Sequence, residues 1–302
     1  MWDELIRQTV RGTIKSPSKV KDFLVPTGDP GLFGPDSVIW QVHADFIVMM
    51  IGGISSLIMQ ALHPQAMAGV WDHSSFREDL QGRLGRTAQF IAATTYGPTE
   101  MALSSIERVK QIHSKVSGVD DQNIPYRADD PHLLKWVHIT ESLCFLNSHI
   151  RYRDEAMPIH EQNQYFSEIA RIGELLGGVD LPKDRKSTLT SIDEYRNELR
   201  MTPRVDIVIN LLNHFPTNFL GKPLLNVIVK AGFYNLPNWV FPILNMPVPT
   251  TLNKKIIDTT VQLLAKPVRY ALRDGIAAHS YRRLGMEAPW MEKPTTLSQQ
   301  VR

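Results

Sequence analysis

Apolar residues recur along this chain at helical spacing, and convincing runs that alternate apolar and polar at every second position are absent. After Pro98, the apolar positions Ala102, Ile106, Val109 and Val116 follow one another by steps of four, three and seven. Glu107, Arg108, Lys110, Gln111, Ser114 and Lys115 take the other faces, and His113 fills the vacant slot on the apolar stripe. The spacing therefore predicts a helix that Pro98 opens and Gly118 closes as the C′ residue, with His113 turned away from its basic neighbours. A buried imidazole needs partners for its nitrogens. A backbone carbonyl would serve a core histidine, and a metal or haem iron a ligand; spacing alone does not choose.

Other elements follow from caps and breaks. After the proline-bearing stretch "VPTGDPGLFGPDSVIW", Asp36 reads as the N-cap of a helix from Ser37. A short helical stretch follows His63-Pro64, and "DHSSFREDLQGRL" is a loop leading into the helix "RLGRTAQFIAATTYG", ended by Gly97-Pro98. Asp130 and Pro131 are the N-cap and N1 of "PHLLKWVHITESLCFLNSHI". "HEQNQYFSEIARIGELLGG" is an amphipathic helix closed by Gly177-Gly178, and "SIDEYRNELR" a short one from Ser191. Half of the 20 prolines lie beyond residue 200, which predicts short helices broken by turns there. There is no repeat and no low-complexity tract, so the expectation is one all-α domain.

The longest uncharged run, Phe46 to Leu62, lies at the lower edge of the membrane-spanning range. Gly52, Gly53, Ser55, Ser56 and Gln60 interrupt it and His43, Asp45 and His63 flank it, which favours a buried core helix over a membrane-embedded one. A 302-residue chain that is 43% hydrophobic and 21% charged can bury a substantial core. A net charge of +2 without a run of five like charges argues against nucleic acid as a partner. Cys144 is the only cysteine, so no internal disulfide forms. The N-terminal "MWDELIRQTVRGTIKSPSKV" has no apolar core of a secretory signal, and the expected location is cytoplasmic with membrane association left open.

Candidate chemistry is sparse. Arg83, Thr87, Phe90 and Thr94 share one helical stripe with Arg86 beside it, a cationic and hydroxylated patch leading into an apolar pocket. It suits an anionic or oxygen-bearing group; the alternative is a solvated arginine face. His138 and Glu141 lie one turn apart, in the reverse of the order used by di-iron bundles, and none of the ten histidines has a Glu three positions before it. His63 and His73 are too irregularly placed for a zinc signature. No HExxH, nucleophile elbow or P-loop occurs, and Cys144 lies in an apolar run without an activating neighbour.

Taken in order, "HPQAMAGVWDHS", "RLGRT", "YG", "IHSKVSG" and "YRADDPHLLKWVH" resemble the haem-dependent oxygenase family of latex-clearing rubber oxygenases and mpaB-type oxygenases, over roughly residues 28 to 285 and nearest its mpaB-like branch. The resemblance implies a globin-like helical fold over residues 28–302 around one haem b, preceded by an N-terminal extension over 1–27. It places the axial ligand at His113, with His138 as second candidate, and the distal arginine and threonine at Arg83 and Thr87. The family's distal lysine is Arg86 here, and a guanidinium stays protonated and does not ligate iron. Arg86 is instead expected to pair with a haem propionate. The expected function is oxidation of an apolar, lipid- or isoprenoid-like molecule by dioxygen, with C=C cleavage as the family's reaction. Two alternatives stay open: a haem-binding sensor or carrier, and a cofactor-free membrane-associated helical protein.

Overall fold

The computed structural model describes residues 20–215 and 221–291. Residues 1–19, most of the expected N-terminal extension, lie outside the described residues. In chain order the helices are α1 (Val38–His43), α2 (Phe46–Ala61), α3 (Pro64–His73), α4 (Leu80–Tyr96) and α5 (Thr99–His113). A hairpin of β1 (Ser117–Val119) and β2 (Pro125–Arg127) follows, then α6 (Pro131–Tyr152), α7 (Ile159–Leu175) and α8 (Arg185–Tyr195). The chain continues through α9 (Pro203–Asn213), α10 (Lys222–Tyr234), α11 (Val240–Ile243), α12 (Thr251–Leu272) and α13 (Ile276–Arg283). Short 3-10 turns occupy Val20–Leu24 and Arg196–Glu198. The class is all-α.

The centre of the fold is α2 lying along α6, with α10 crossing α2. Asp45 starts α2 by accepting from the N–H groups of Ile47 and Val48 at 3.0 and 3.1 Å, and it also pairs with Arg269 of α12. Ile47, Val48, Ile51, Ile54, Ile58 and Met59 are then buried in one continuous core, each contributing about 1.5–3 kcal/mol. The serines of this apolar run bind neighbouring helices. Ser55 donates to the Gly232 carbonyl at 2.9 Å, and Asn235 donates to both Ser55 Oγ and the Cys144 carbonyl at 3.1 Å. This satisfied buried network ties α2, α6 and α10 together. No single helix among the described residues is long and apolar enough to cross a membrane; α2 and α3 pass that test only together, bent by 105°.

Several boundaries differ from expectation for identifiable reasons. Helix α1 begins at Val38, and the carboxylate that accepts from the Val38 and Ile39 N–H groups belongs to Glu168 of α7, at 3.3 and 2.8 Å, not to Asp36. Helix α5 ends at His113, and Gly118 pairs with Tyr126 in the hairpin, whose strands are too short to show a period in sequence. Gly118 is needed there because a Cβ would meet the Tyr126 hydroxyl at 2.7 Å. Asp184 accepts from the Ser187 N–H at 2.9 Å and starts α8 six residues before Ser191. The C-terminal third is not all short helices: α12 runs for 22 residues straight through Pro267, which lies on its exposed side. The hydrogen bond lost at Pro267 is a local cost that the burial of Val261, Ala265, Val268 and Ala271 on either side outweighs.

Candidate functional site

Helices α4 and α5 form a hairpin whose principal packing is on each other, with α4 also touching α1 and α13. The bend is fixed by Asp29, which accepts from Thr99 N–H and Oγ1 at 2.9 and 2.7 Å, and by Trp40, which donates Nε1–H to the Thr95 carbonyl at 2.7 Å. The far end carries Arg83 and His113.

Helix α5 keeps the phase read from its sequence. Ala102 and Ile106 are buried, Val109, His113 and Val116 are half-buried, and Arg108, Lys110 and Lys115 are exposed. His113 Nδ1 is buried without a hydrogen-bond partner. Burial and the Arg83 cation hold the His113 pKa below its ordinary value, against a smaller opposing pull from Asp129. The ring is therefore neutral near pH 7, the form that ligates metals. On its outer side His113 borders a hollow of about 330 Å³ shared with Asp129, Leu176 and Gly177. Asp129 accepts from Nε and Nη2 of Arg127 at 3.0 and 2.8 Å.

Arg83, His138 and Glu141 are half-buried. Arg83 lies close enough to act electrostatically on both His113 and Glu141. Burial lowers the His138 pKa to about 4, and its Nε2 is buried without a partner. The ring lies against Gly173 of α7, where a Cβ would come within 2.8 Å of Nδ1. Of the α4 stripe, Arg83, Thr87 and Phe90 are half-buried and Thr94 is buried. Thr87 spends its hydroxyl proton on the Arg83 carbonyl at 3.2 Å. Arg86 does not join this group: its side chain is 52% exposed and pairs loosely at 4.0 Å with Asp79, the N-cap of its own helix. Cys144 is buried with its thiol pKa pushed up by burial and Glu141, so it is no nucleophile. His63 and His73 do not meet; His73 Nε2 bonds the Ser117 carbonyl at 3.1 Å and His63 turns to Glu198.

The residue that sequence reading undervalued is Glu141. Burial pushes its pKa up to about 7, with Arg83 opposing. A carboxyl so raised stays protonated in the folded chain after the unfolded chain has released its proton, so stability falls as pH rises from about 4.5 to about 7. Glu141→Gln is expected to remove that slope and to leave the cofactor-free protein about 3 kcal/mol more stable at pH 8 than the parent. Denaturant midpoints between pH 4.5 and 8 measure it, and parallel profiles for the two proteins would refute it.

Two orphaned imidazole nitrogens, a cation and a protonatable carboxyl are thus carried by α4, α5 and α6. Residues 40–270 match the family described as ER-bound oxygenase mpaB/B'/Rubber oxygenase, catalytic domain, and the chain belongs to that family. No curated protein and no solved structure matches the chain. An oxygenase catalytic domain is an oxidoreductase that works on a small molecule with dioxygen.

Proposed function

We propose that this chain is a haem b-dependent oxygenase acting on an apolar, lipid- or isoprenoid-like molecule, with oxidative cleavage of a C=C bond as its reaction. The observation that carries the reading is His113, neutral, turned inward beside Arg83, with a buried Nδ1 that nothing in the chain satisfies. The donor set fits a haem: one neutral imidazole to ligate the iron, and one buried guanidinium for a propionate or a bound oxygen. When bound, the haem supplies the one-electron and dioxygen chemistry that no side chain here offers. Arg83 would supply a positive charge to the cofactor site, Thr87 and Phe90 share its face of α4, and Glu141 holds a proton on its carboxyl up to about pH 7. His138, on α6, is the second residue that would hold the cofactor. Arg86 acts from outside, through its charge on Arg83. The catalytic unit is taken as residues 28–302, with 1–27 as an extension.

The test is the absorption spectrum of protein produced with ample haem, together with oxygen uptake on unsaturated lipids and terpenoids. A Soret band with substrate-dependent uptake supports the reading. A haem spectrum without uptake favours a sensor or carrier, and a colourless protein overturns both.

The apolar substrate class gives meaning to a surface on α12. Leu252, Ile256, Leu263 and Tyr270 are 54–67% exposed and follow one stripe, with exposed Lys255 and Lys266 along its edge. An apolar stripe edged by cations suits the surface of an anionic bilayer. Peripheral docking there would place the enzyme where such substrates dissolve. Co-sedimentation with phosphatidylserine-containing vesicles is expected, and Leu263→Glu should weaken it about tenfold or more. Equal binding by the variant would remove α12 from the contact.

A further inference from the structure

Three side chains far apart in sequence converge where α2 turns into α3. His63 is the N-cap residue of α3 and its ring is almost wholly buried. His132 lies in the first turn of α6, and Glu198 ends the 3-10 turn after α8. Glu198 Oε2 is 3.1 Å from His63 Nε2 and 2.9 Å from His132 Nε2, while Oε1 is 3.1 Å from the same His132 nitrogen. The three ligand atoms lie within 4.8 Å of one another.

The framework around them is built before any ligand arrives. Tyr195 stacks on the His132 ring at 4.4 Å, and its hydroxyl donates to the His132 carbonyl at 2.8 Å. The Arg200 N–H donates to the Leu62 carbonyl at 2.9 Å, fastening the segment that carries Glu198 to the residue before His63. One side is sealed by His63, and the other opens to solvent past His132 and Glu198, whose side chains are about half exposed.

We propose that His63, His132 and Glu198 form a binding site for a zinc-type divalent ion, with water in the remaining position, separate from the haem site. Imidazole and carboxylate are the donors such ions select. With bond lengths of about 2.0–2.2 Å, a tetrahedral ion holds its ligand atoms roughly 3.3 Å apart, which the observed spacings reach with a small opening. Without the ion, both rings donate Nε2–H to the carboxylate. On binding, each ring offers its Nε2 lone pair and carries its one remaining proton on Nδ1, the exchange running through solvent. His63 Nδ1 is already without a partner in the hydrogen-bonded state, so the move exchanges one unsatisfied form for another. His132 and His138 leave α6 about a third of a turn apart around its axis, so the two sites face different ways. The bound ion would clasp the α8–α9 connection to α3 and α6.

The experiment uses haem-loaded protein stripped with a chelator and then titrated with Zn²⁺ by calorimetry and with Co²⁺ by visible absorption. One ion per chain, a Co²⁺ spectrum of low coordination number and a thermal midpoint that rises with Zn²⁺ are expected. His132→Ala and Glu198→Gln, both at half-exposed positions, should each weaken binding at least about 100-fold while leaving the Soret band intact. His113→Ala should do the reverse, and His73→Ala should change nothing. No stoichiometric ion in the parent, or unchanged affinity in both cluster variants, overturns the proposal whatever the haem result.

Discussion

Replacing His113 by alanine is expected to give a folded protein that no longer retains haem. His113 is half-buried on the last turn of α5, outside the main core, so its removal leaves the α2–α6 packing intact. What it removes is the proposed ligand. Loss of a mere supporting hydrogen bond to a metal ligand costs about 10–100-fold in affinity, so loss of the ligand itself should exceed that. His113→Gly should recover a Soret band when free imidazole is added, because the cavity then accepts the missing ring. His138→Ala is the comparison. If His113→Ala keeps a full haem complement and an unchanged Soret band while His138→Ala loses it, the assignment of the ligand is reversed.

The second large effect is expected at adjacent glycines with opposite outcomes. Helix α2 passes closest to α6 at Gly52, where a Cβ would lie 2.7 Å from Phe145 Cδ1, 2.9 Å from Phe145 Cα and 3.0 Å from the Cys144 carbonyl oxygen. Two of those are backbone atoms, which no rotamer change can move aside. Gly52→Val should therefore force the two central helices apart and cost about 3 kcal/mol. At Gly53 an added Cβ would meet only Phe145 Cε1 at 3.8 Å, an ordinary contact. Gly53→Ala should be neutral or stabilise by up to about 1 kcal/mol through helix propensity. Chemical denaturation of both variants decides it; equal effects would mean that close approach is not what Gly52 supplies.

Much of this site is readable from helical phase, because a 3.6-residue period separates the faces of one helix without help from the rest of the fold. That is why His113 could be parted from Arg108, Lys110 and Lys115, and why Arg83, Thr87, Phe90 and Thr94 could be aligned. Phase says nothing about where a long side chain goes. Arg86 lies beside the stripe by angle, yet its guanidinium reaches back to Asp79 and solvent. Contacts between distant segments are equally silent. Glu168 taking over the start of α1, and the meeting of His63, His132 and Glu198, depend on which helices lie side by side, and no local spacing encodes that. Pro267 misleads for a related reason: the local cost of a proline is outweighed by burial of the residues on either side of it, and local sequence does not show that burial.

The α4–α5 hairpin is fixed at its bend by Asp29 and Trp40, and at its far end α4 packs into the main core through Leu80 while α5 is held through the strands after His113. Those strands rest on α3 through a small separate cluster of Ala68, Val116, Tyr126 and Leu133, with Tyr126 donating to Asp72 at 2.8 Å. Opening free energy follows the apolar area a unit buries, so this cluster lets go before the main core does. Loosening of this cluster would free the His113 end of α5 while Leu80 keeps α4 on the main core, and under the proposed function a bound haem would hold that end in place.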